Sequence, residues 1–365
     1  MNFADYLTQK LPAVEAEIMR GLPAAPAAPA AATVAPSPAA TSSPAALAST
    51  PSEQTRADLN TYLYQPLAHF SAGGGKRVRP VLCCLGAEAV GGSAKAALPV
   101  ACAIEDFQSA ALIHDDIADK SELRRGEKCL YKTLGTGLAI NVGDSALVNV
   151  VRRVTVADHL SDQLKVRVID ALLAMQEHTL EGQALDLGWA QNERWDVTSE
   201  QYLFMALSKT AYYSAAYPLV LGALIGGADQ KTLDALKDFG LKVGLAFQLQ
   251  DDLLNLVGNA EVQGKDFRSD ITEGKRTLAV VYALEHLGSA EKAELVSILF
   301  AHTSDTLKLQ RAVELMESAN AIKFVRTHAL ALVEEAKHVL ENVILTEDAR
   351  DTLLSMADFF VNRKR

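Results

Sequence analysis

The sequence predicts an all-α chain whose body is one single-domain helical bundle, and three observations carry that prediction. Seven of the 12 prolines (Pro23, Pro26, Pro29, Pro36, Pro38, Pro44, Pro51) fall in one short stretch, so the rest is nearly free of the residue that breaks helices. From Glu53 onward, apolar residues recur at helical spacing, and Gly-containing breaks such as SAGGG, AVGG, LGTG and IGGAD punctuate them. No strand alternation of useful length and no repeat of solenoid length interrupts the pattern. With 365 residues, 49% hydrophobic, the chain is long enough for one large core or two ordinary ones.

In chain order, residues 1–20 read as an N-terminal amphipathic helix with Leu7, Leu11, Val14 and Ile18 on one face. Residues 21–52 are mostly Ala, Pro, Ser and Thr with no charge, the composition of an extended, poorly ordered linker. Residues 53–365 then form the all-α domain, with ten or more helices expected. Within it, Thr210 to Ala228 is free of charge and about long enough to span a bilayer. Its tyrosines, Pro218 and glycines favour a buried core helix, so no transmembrane segment is expected.

The formal net charge of -10 argues against nucleic acid or an anionic membrane surface, since both are bound mainly through Lys and Arg. A phosphorylated substrate would then need a metal. The four cysteines (Cys83, Cys84, Cys102, Cys129) contain no CxxC pair, which speaks against zinc or a disulfide framework. The start MNFADYLTQK lacks a basic segment followed by an apolar run, so a cytoplasmic location is expected.

Two acidic motifs carry the chemistry. In LIHDDIADKSELRRG, Asp115 and Asp119 stand four apart, so on a helix both carboxylates leave one face with Asp116 beside them. FQLQDDLLNLVG repeats the spacing with Asp251 and Asn255, Asp252 following the first. Acidic pairs on helices are commonly solvated surface. Here strongly apolar runs, SAALIH and GLAFQLQ, precede both, which places the acids at the rim of a buried cavity. Two facing oxygen ledges suit magnesium shared with phosphate oxygens. At about 4 Å, a carboxylate and a phosphate charge repel by roughly 4 kcal/mol at an effective dielectric near 20, so a diphosphate among these aspartates requires cations.

SAGGGKRVRP sets Lys76, Arg77 and Arg79 after three glycines, a plausible second anion site without metal, although a basic loop alone is usually solvated. Arg124 and Arg125 are expected further along the first aspartate helix, where they serve a diphosphate or pair with Glu122 and Glu127 on the surface.

Taken in order, GGGKRVRP, LIHDDIADKSELRRG, EGQALDL, KT, FQLQDDLLN and DITEGK resemble the trans-isoprenyl diphosphate synthases, from about Tyr62 to the C-terminus, most of all those making geranylgeranyl diphosphate. The resemblance implies an isoprenoid synthase helical bundle around a central cavity. It implies that Asp115, Asp119 and Asp251 ligate three Mg2+ ions on the allylic diphosphate, with Asp116, Asp252 and Asp270 supporting them. Arg124, Lys209, Thr210, Gln248, Lys265 and Lys275 would contact that diphosphate. Lys76, Arg79 and Arg125 would bind isopentenyl diphosphate, and Gln183 and Asp186 would line the cavity near the reacting carbons. Lys209 and Gln248 join Asp115, Asp119 and Asp251 as the residues implied in catalysis.

Departure of the allylic diphosphate would leave a carbocation that isopentenyl diphosphate attacks, and loss of a proton gives a chain five carbons longer. No protein nucleophile is required, in keeping with the lack of a Ser/His or Cys/His signature. Asn255 stands where many members carry aspartate, so altered metal affinity with retained activity is expected. Glu88 stands where farnesyl-type enzymes often have a His and is left out of the site.

The family's members are usually homodimers. Their growing chain runs down the first aspartate helix, where bulky residues four and five positions before its first aspartate close the cavity early. Those positions hold Ala111 and Ala110, with Phe107 one turn deeper as a candidate floor, which implies a product of twenty carbons or longer. A class I terpene cyclase shares the fold and ionises the same substrates, but its second motif is of the Asn/Ser/Glu type and it needs no GGGKRVRP site. A non-catalytic modulating subunit usually lacks the first motif, which is intact here.

Overall fold

The computed structural model describes residues 1–26, 51–258 and 267–363, and these are helical almost throughout. In chain order come α1 (Phe3–Arg20), α2 (Glu53–Leu59), a π-helical turn (Asn60–Tyr64), α3 (Gln65–Ala72), α4 (Val78–Ala89) and α5 (Ala94–Ala118). A two-residue hairpin, β1 (Leu123–Arg124) and β2 (Glu127–Lys128), precedes α6 (Leu130–Leu134), α7 (Thr136–Thr155), α8 (Asp162–Gln191) and α9 (Ser199–Ala206). A ten-residue π-helix (Leu207–Ala216) runs into α10 (Tyr217–Ile225) and α11 (Gln230–Val257). The chain ends with α12 (Ser269–Thr272), α13 (Leu278–His286), α14 (Ser289–Phe300), α15 (Thr306–Ser318), α16 (Ala321–Glu341) and α17 (Glu347–Asn362).

The all-α expectation holds. α5 is the spine: Val100 through Ile104 are fully buried, and the helix packs between α4 and α7. It is the one described helix long and apolar enough to cross a membrane, and two thirds of its apolar window, 67%, lies inside the protein. The charge-free stretch from Thr210 to Ala228 is core, as expected, but it is two elements, the end of the π-helix and then α10, whose start Pro218 marks at a position that needs no N–H.

Asn2 caps α1 by accepting the Asp5 N–H at 2.9 Å. The helix buries Phe3, Tyr6, Val14 and Ile18 against α4, α5 and α17, while Leu7 and Leu11 are only partly covered. Its last carbonyls are held from the body: Arg153 donates to Glu17 O at 3.1 Å and Ile18 O at 2.8 Å, and Asn149 donates to Gly21 O at 3.0 Å. Arg153 is itself paired with buried Asp106 at 2.5 Å. Gly21 and Leu22 are thus tied to the body although composition assigns them to the linker, most of which (27–50) lies outside the described residues. Glu88 faces α1, accepting the Tyr6 hydroxyl at 2.6 Å and Lys10 at 2.5 Å, so its role is docking the N-terminal helix.

Candidate active site

Both aspartate motifs sit at helix ends, as their spacing requires: Asp115 and Asp116 in the last turn of α5 with Asp119 as its cap, and Asp251, Asp252 and Asn255 in the last two turns of α11. Between them stand α8 and the π-helix. Gly182 lets these two cross in close contact, for a Cβ there would stand 2.2 Å from the Lys209 backbone nitrogen. On the other side, a Cβ on Gly244 of α11 would meet Ala211 Cα at 2.8 Å. The π-helical winding re-aims Lys209 and Thr210 within this tight passage.

Three separate hydrogen-bonded groups stand across the mouth between the two motifs. Gln183 donates to Asp115 Oδ1 at 2.8 Å. Lys209 holds Asp186. Thr210 donates to Gln248 Oε1 at 2.8 Å, and Gln248 donates to Asp252 Oδ1 at 2.8 Å. Tyr202 donates to the other Asp252 oxygen at 2.5 Å. Lys275 bridges Asp270 at 3.2 Å and Glu273 at 2.7 Å.

Burial sets the electrostatics. The Asp115 carboxyl is pushed up to about 6, chiefly by desolvation against the pull of Lys209, with Asp119 adding to the rise. Asp252 and Asp270 are both raised, first by burial and, for Asp252, by the charge of Asp270. Burial lowers the affinity of Lys209 and Lys275 for protons, but Asp186 in one case and Asp270 with Glu273 in the other outweigh it and hold both lysines charged.

The donor set fits a hard cation. It is all carboxylate oxygen, and Asp116 presents a buried Oδ2 with no hydrogen-bond partner while its Oδ1 is held by Arg124 at 2.6 Å. Among the described residues, however, no three His, Cys, Asp or Glu groups already converge as a metal cluster. Asp115, Asp252, Asp270 and Asp251 are engaged by protein partners. Asp251 is paired with Arg363 at 2.7 Å, and that guanidinium lies 3.9 Å from the Phe247 ring.

Three cavities adjoin these groups. A polar one of about 100 Å³ is lined by Asp186, Tyr202, Lys209, Gln248, Asp252 and Lys275, among others. An apolar one of about 200 Å³ shares Lys209 and Thr210 with it and runs down α5 past Asp115 and Ala111 to Phe107. A third, of about 190 Å³, gathers His69, Arg124, Arg125 and Lys128. An anion held in the polar cavity can therefore point an apolar tail into its neighbour, and a second anion has a basic cavity of its own.

Most of the residues picked from sequence meet here: Asp115, Asp116, Asp119, Gln183, Asp186, Lys209, Thr210, Gln248, Asp252, Asp270 and Lys275. Several are placed differently. Arg124 and Arg125 are not further along a helix, because α5 ends at Ala118 and the chain turns back through the hairpin. The turn at Arg125 (φ 53°) and Gly126 (φ 85°) sends Arg124 onto Asp116, while Glu122 and Glu127 take Lys132 and His69 instead. Arg125 lies against Gly73 and Gly75 of the glycine loop. Arg77 is spent on structure, bonded to Glu105 and to Ser71 O, both at 2.6 Å, and Lys76 beside it is exposed. Arg79 does not line the basic cavity: it donates to Ser214 at 2.8 Å and stacks over Tyr213.

Asn255 donates to Ser269 Oγ at 3.0 Å and accepts the Asp270 N–H at 3.2 Å, using both the donor and the acceptor of its amide. Ala110 faces the cluster of Leu67, Phe70 and Val142, whereas Ala111 lines the cavity. Lys265 lies outside the described residues. Sequence reasoning missed Tyr202, Tyr213 and Arg363; only the two aromatic residues just after Lys209 and Thr210 hinted at the second.

The sequence matches the polyprenyl synthetase family over residues 60–316. It is 40% identical over 299 residues to a short chain isoprenyl diphosphate synthase from Methanothermobacter thermautotrophicus, covering 81% of this chain and 89% of that one. It is 34% identical over 304 residues to a geranylgeranyl pyrophosphate synthase from Geoglobus acetivorans, covering 82% and 91%. The fold superposes with a TM-score of 0.82, at 26% identity and over the whole of both chains, on a Corynebacterium glutamicum geranylgeranyl pyrophosphate synthase crystallised with isoprenyl diphosphate and magnesium.

Proposed function

Because this chain belongs to the polyprenyl synthetase family and is a prenyltransferase that elongates isoprenoid diphosphates, we propose that it adds isopentenyl diphosphate to an allylic diphosphate and releases the twenty-carbon geranylgeranyl diphosphate or a longer product. The observation that carries the length is the cavity below Asp115, open past Ala111 as far as Phe107. Phe107 lies eight positions before Asp115 on α5, about 12 Å of helix at 1.5 Å per residue, deeper than a bulky residue at position 111 would permit.

In this reading the polar cavity takes the allylic diphosphate, with Lys209, Thr210, Gln248, Lys275 and Arg124 as its donors, and the basic cavity beside the glycine loop takes isopentenyl diphosphate through Arg125 and Lys76. Three Mg2+ ions held by Asp115, Asp119 and Asp251, with Asp116, Asp252 and Asp270 behind them, would neutralise the diphosphate and favour its departure. Gln183 keeps the Asp115 carboxylate aimed at the mouth, and Asp186 keeps Lys209 there. The apolar walls exclude water from the cationic carbon chain. We place the enzyme in the cytoplasm, in keeping with four buried free thiols.

We also read the protein as a homodimer. On α8, exposed Val166, Leu173 and Leu180 recur every seven residues, and Ile140 and Val148 are exposed on α7, an apolar face that a second copy would cover.

One assay tests the function: magnesium, labelled isopentenyl diphosphate and each allylic diphosphate in turn, with products resolved by chain length. Incorporation giving C20 or longer is expected. No incorporation with any primer would sink the reading, and a cyclic hydrocarbon would replace it with a cyclase.

A further inference from the structure

The apolar cavity is floored from two sides. At the level of the aspartates it is walled by Asp115, Gln183 and Lys209; at its far end stand Phe107 of α5, Thr179 of α8 and Tyr213 of the π-helix. Phe107 and Tyr213 meet edge to face, ring centroids 5.9 Å apart at 84°, across the direction in which a chain would grow. Tyr213 is also fixed from behind. The Arg79 guanidinium lies 4.2 Å from its ring centroid, and Arg79 is tied at 2.8 Å to Ser214, the next residue along. An aromatic ring held on two sides cannot swing aside at the cost of one rotamer change.

We propose that Tyr213 is a specificity-determining residue: its ring, braced by Arg79 and Phe107, stops the growing isoprenoid chain, so product length is set by the π-helix as much as by α5. The winding matters here. Lys209 and Thr210 line the mouth and Tyr213 the floor, so this one ten-residue segment carries both ends of the cavity wall. The occupant is a branched apolar chain, recognised by shape alone, and the bulk at position 213, together with Phe107 of α5, decides how many five-carbon units fit.

The inference rests on the synthase reading, and the experiment keeps the two apart. Product distributions are measured with the parent protein, Tyr213→Ala, Tyr213→Phe and Tyr213→Trp, each first checked for a cooperative thermal transition. Removing the ring should lengthen the main product by at least one five-carbon unit, Phe should leave it unchanged, and Trp should shorten it or stop elongation early. A merely structural tyrosine would lower activity without moving length in opposite directions. An active parent whose product length is the same in the Ala and Trp variants overturns this inference alone; a parent that incorporates no isopentenyl diphosphate overturns the synthase reading and this one with it. If the Ala variant does not fold, the Trp variant decides, because unchanged length there also refutes the floor.

Discussion

Gly182→Ala is the smallest change that should disable the site from outside it. An added methyl would stand 2.2 Å from the Lys209 nitrogen and 2.6 Å from its Cα, where ordinary contact begins near 3.4 Å. Both atoms are backbone, so no side chain can swing away. The two segments must part by about 1.2 Å, the difference between 3.4 and 2.2. Overpacking of this kind costs about 1–3 kcal/mol, partly offset by the roughly 0.5–1 kcal/mol that alanine gains over glycine inside a helix. Activity should suffer more than stability, since the gap opens between Gln183, which holds Asp115, and Lys209, which holds Asp186. A misplacement of about 1 Å is worth on the order of 100-fold in rate. The measurement is kcat for labelled isopentenyl diphosphate beside a urea melt. Gly188→Ala is the control on the same helix: nothing lies within 4 Å of its added Cβ, so it should keep full activity and gain about 0.5–1 kcal/mol. If Gly182→Ala stays within about threefold of the parent while Gly188→Ala behaves as stated, close packing of α8 on the π-helix does not position the site.

Ala111→Phe should shorten the product by at least one five-carbon unit, because that side chain enters the cavity. Ala110→Phe should instead lower the melting temperature, since Ala110 is fully buried among Leu67, Phe70 and Val142, and about 1–3 kcal/mol of overpacking is expected. Arg153→Ala leaves the Asp106 carboxylate buried without its cation and strips the last carbonyls of α1; urea titration should show a loss of about 3–5 kcal/mol, and a loss under 1 would refute the docking role. Chelation by EDTA should abolish incorporation, with recovery in excess magnesium. It should leave thermal unfolding unchanged, because Asp115, Asp116, Asp252 and Asp270 keep Gln183, Arg124, Tyr202 and Lys275 as partners.

The fold was legible because helical periodicity is repeated along the whole body, and the two aspartate runs were legible because burial forces apolar residues up to the rim on which charge appears. Three features were not. The hairpin after α5 has only two residues per strand, too short for any alternation to register, so Arg124 reads as a continued helix. The π-helix shares its composition with an α-helix, and the glycines packed against it, Gly182 and Gly244, lie far from it in sequence. Arg363 reaches Asp251 across 112 positions, and no local pattern announces a pair of that range. Asn255 carries a role its place in the motif does not announce: its two hydrogen bonds tie α11 to the start of α12.

The pairing at the mouth explains how so acidic a site tolerates its own charge and what a substrate must do on arrival. Asp116, Asp186, Asp251 and Asp270 each hold a cation of the chain: Arg124, Lys209, Arg363 and Lys275. A bare diphosphate approaching these carboxylates would meet roughly 4 kcal/mol of repulsion per unit pair at about 4 Å. Arg124 and Lys275 cannot turn to it without leaving the buried carboxylates of Asp116 and Asp270 uncompensated, which is more costly still. An exchange in which divalent ions take the carboxylates and the freed lysines and arginines take the phosphate oxygens leaves every charge partnered. On the synthase reading, the ion pairs of the free protein therefore hold the binding groups in place, and neither metal nor diphosphate should bind tightly without the other. Isothermal titration with inorganic diphosphate, with and without magnesium, should show that coupling as an affinity at least tenfold higher when both are present; equal affinities would mean that the internal pairs stay closed.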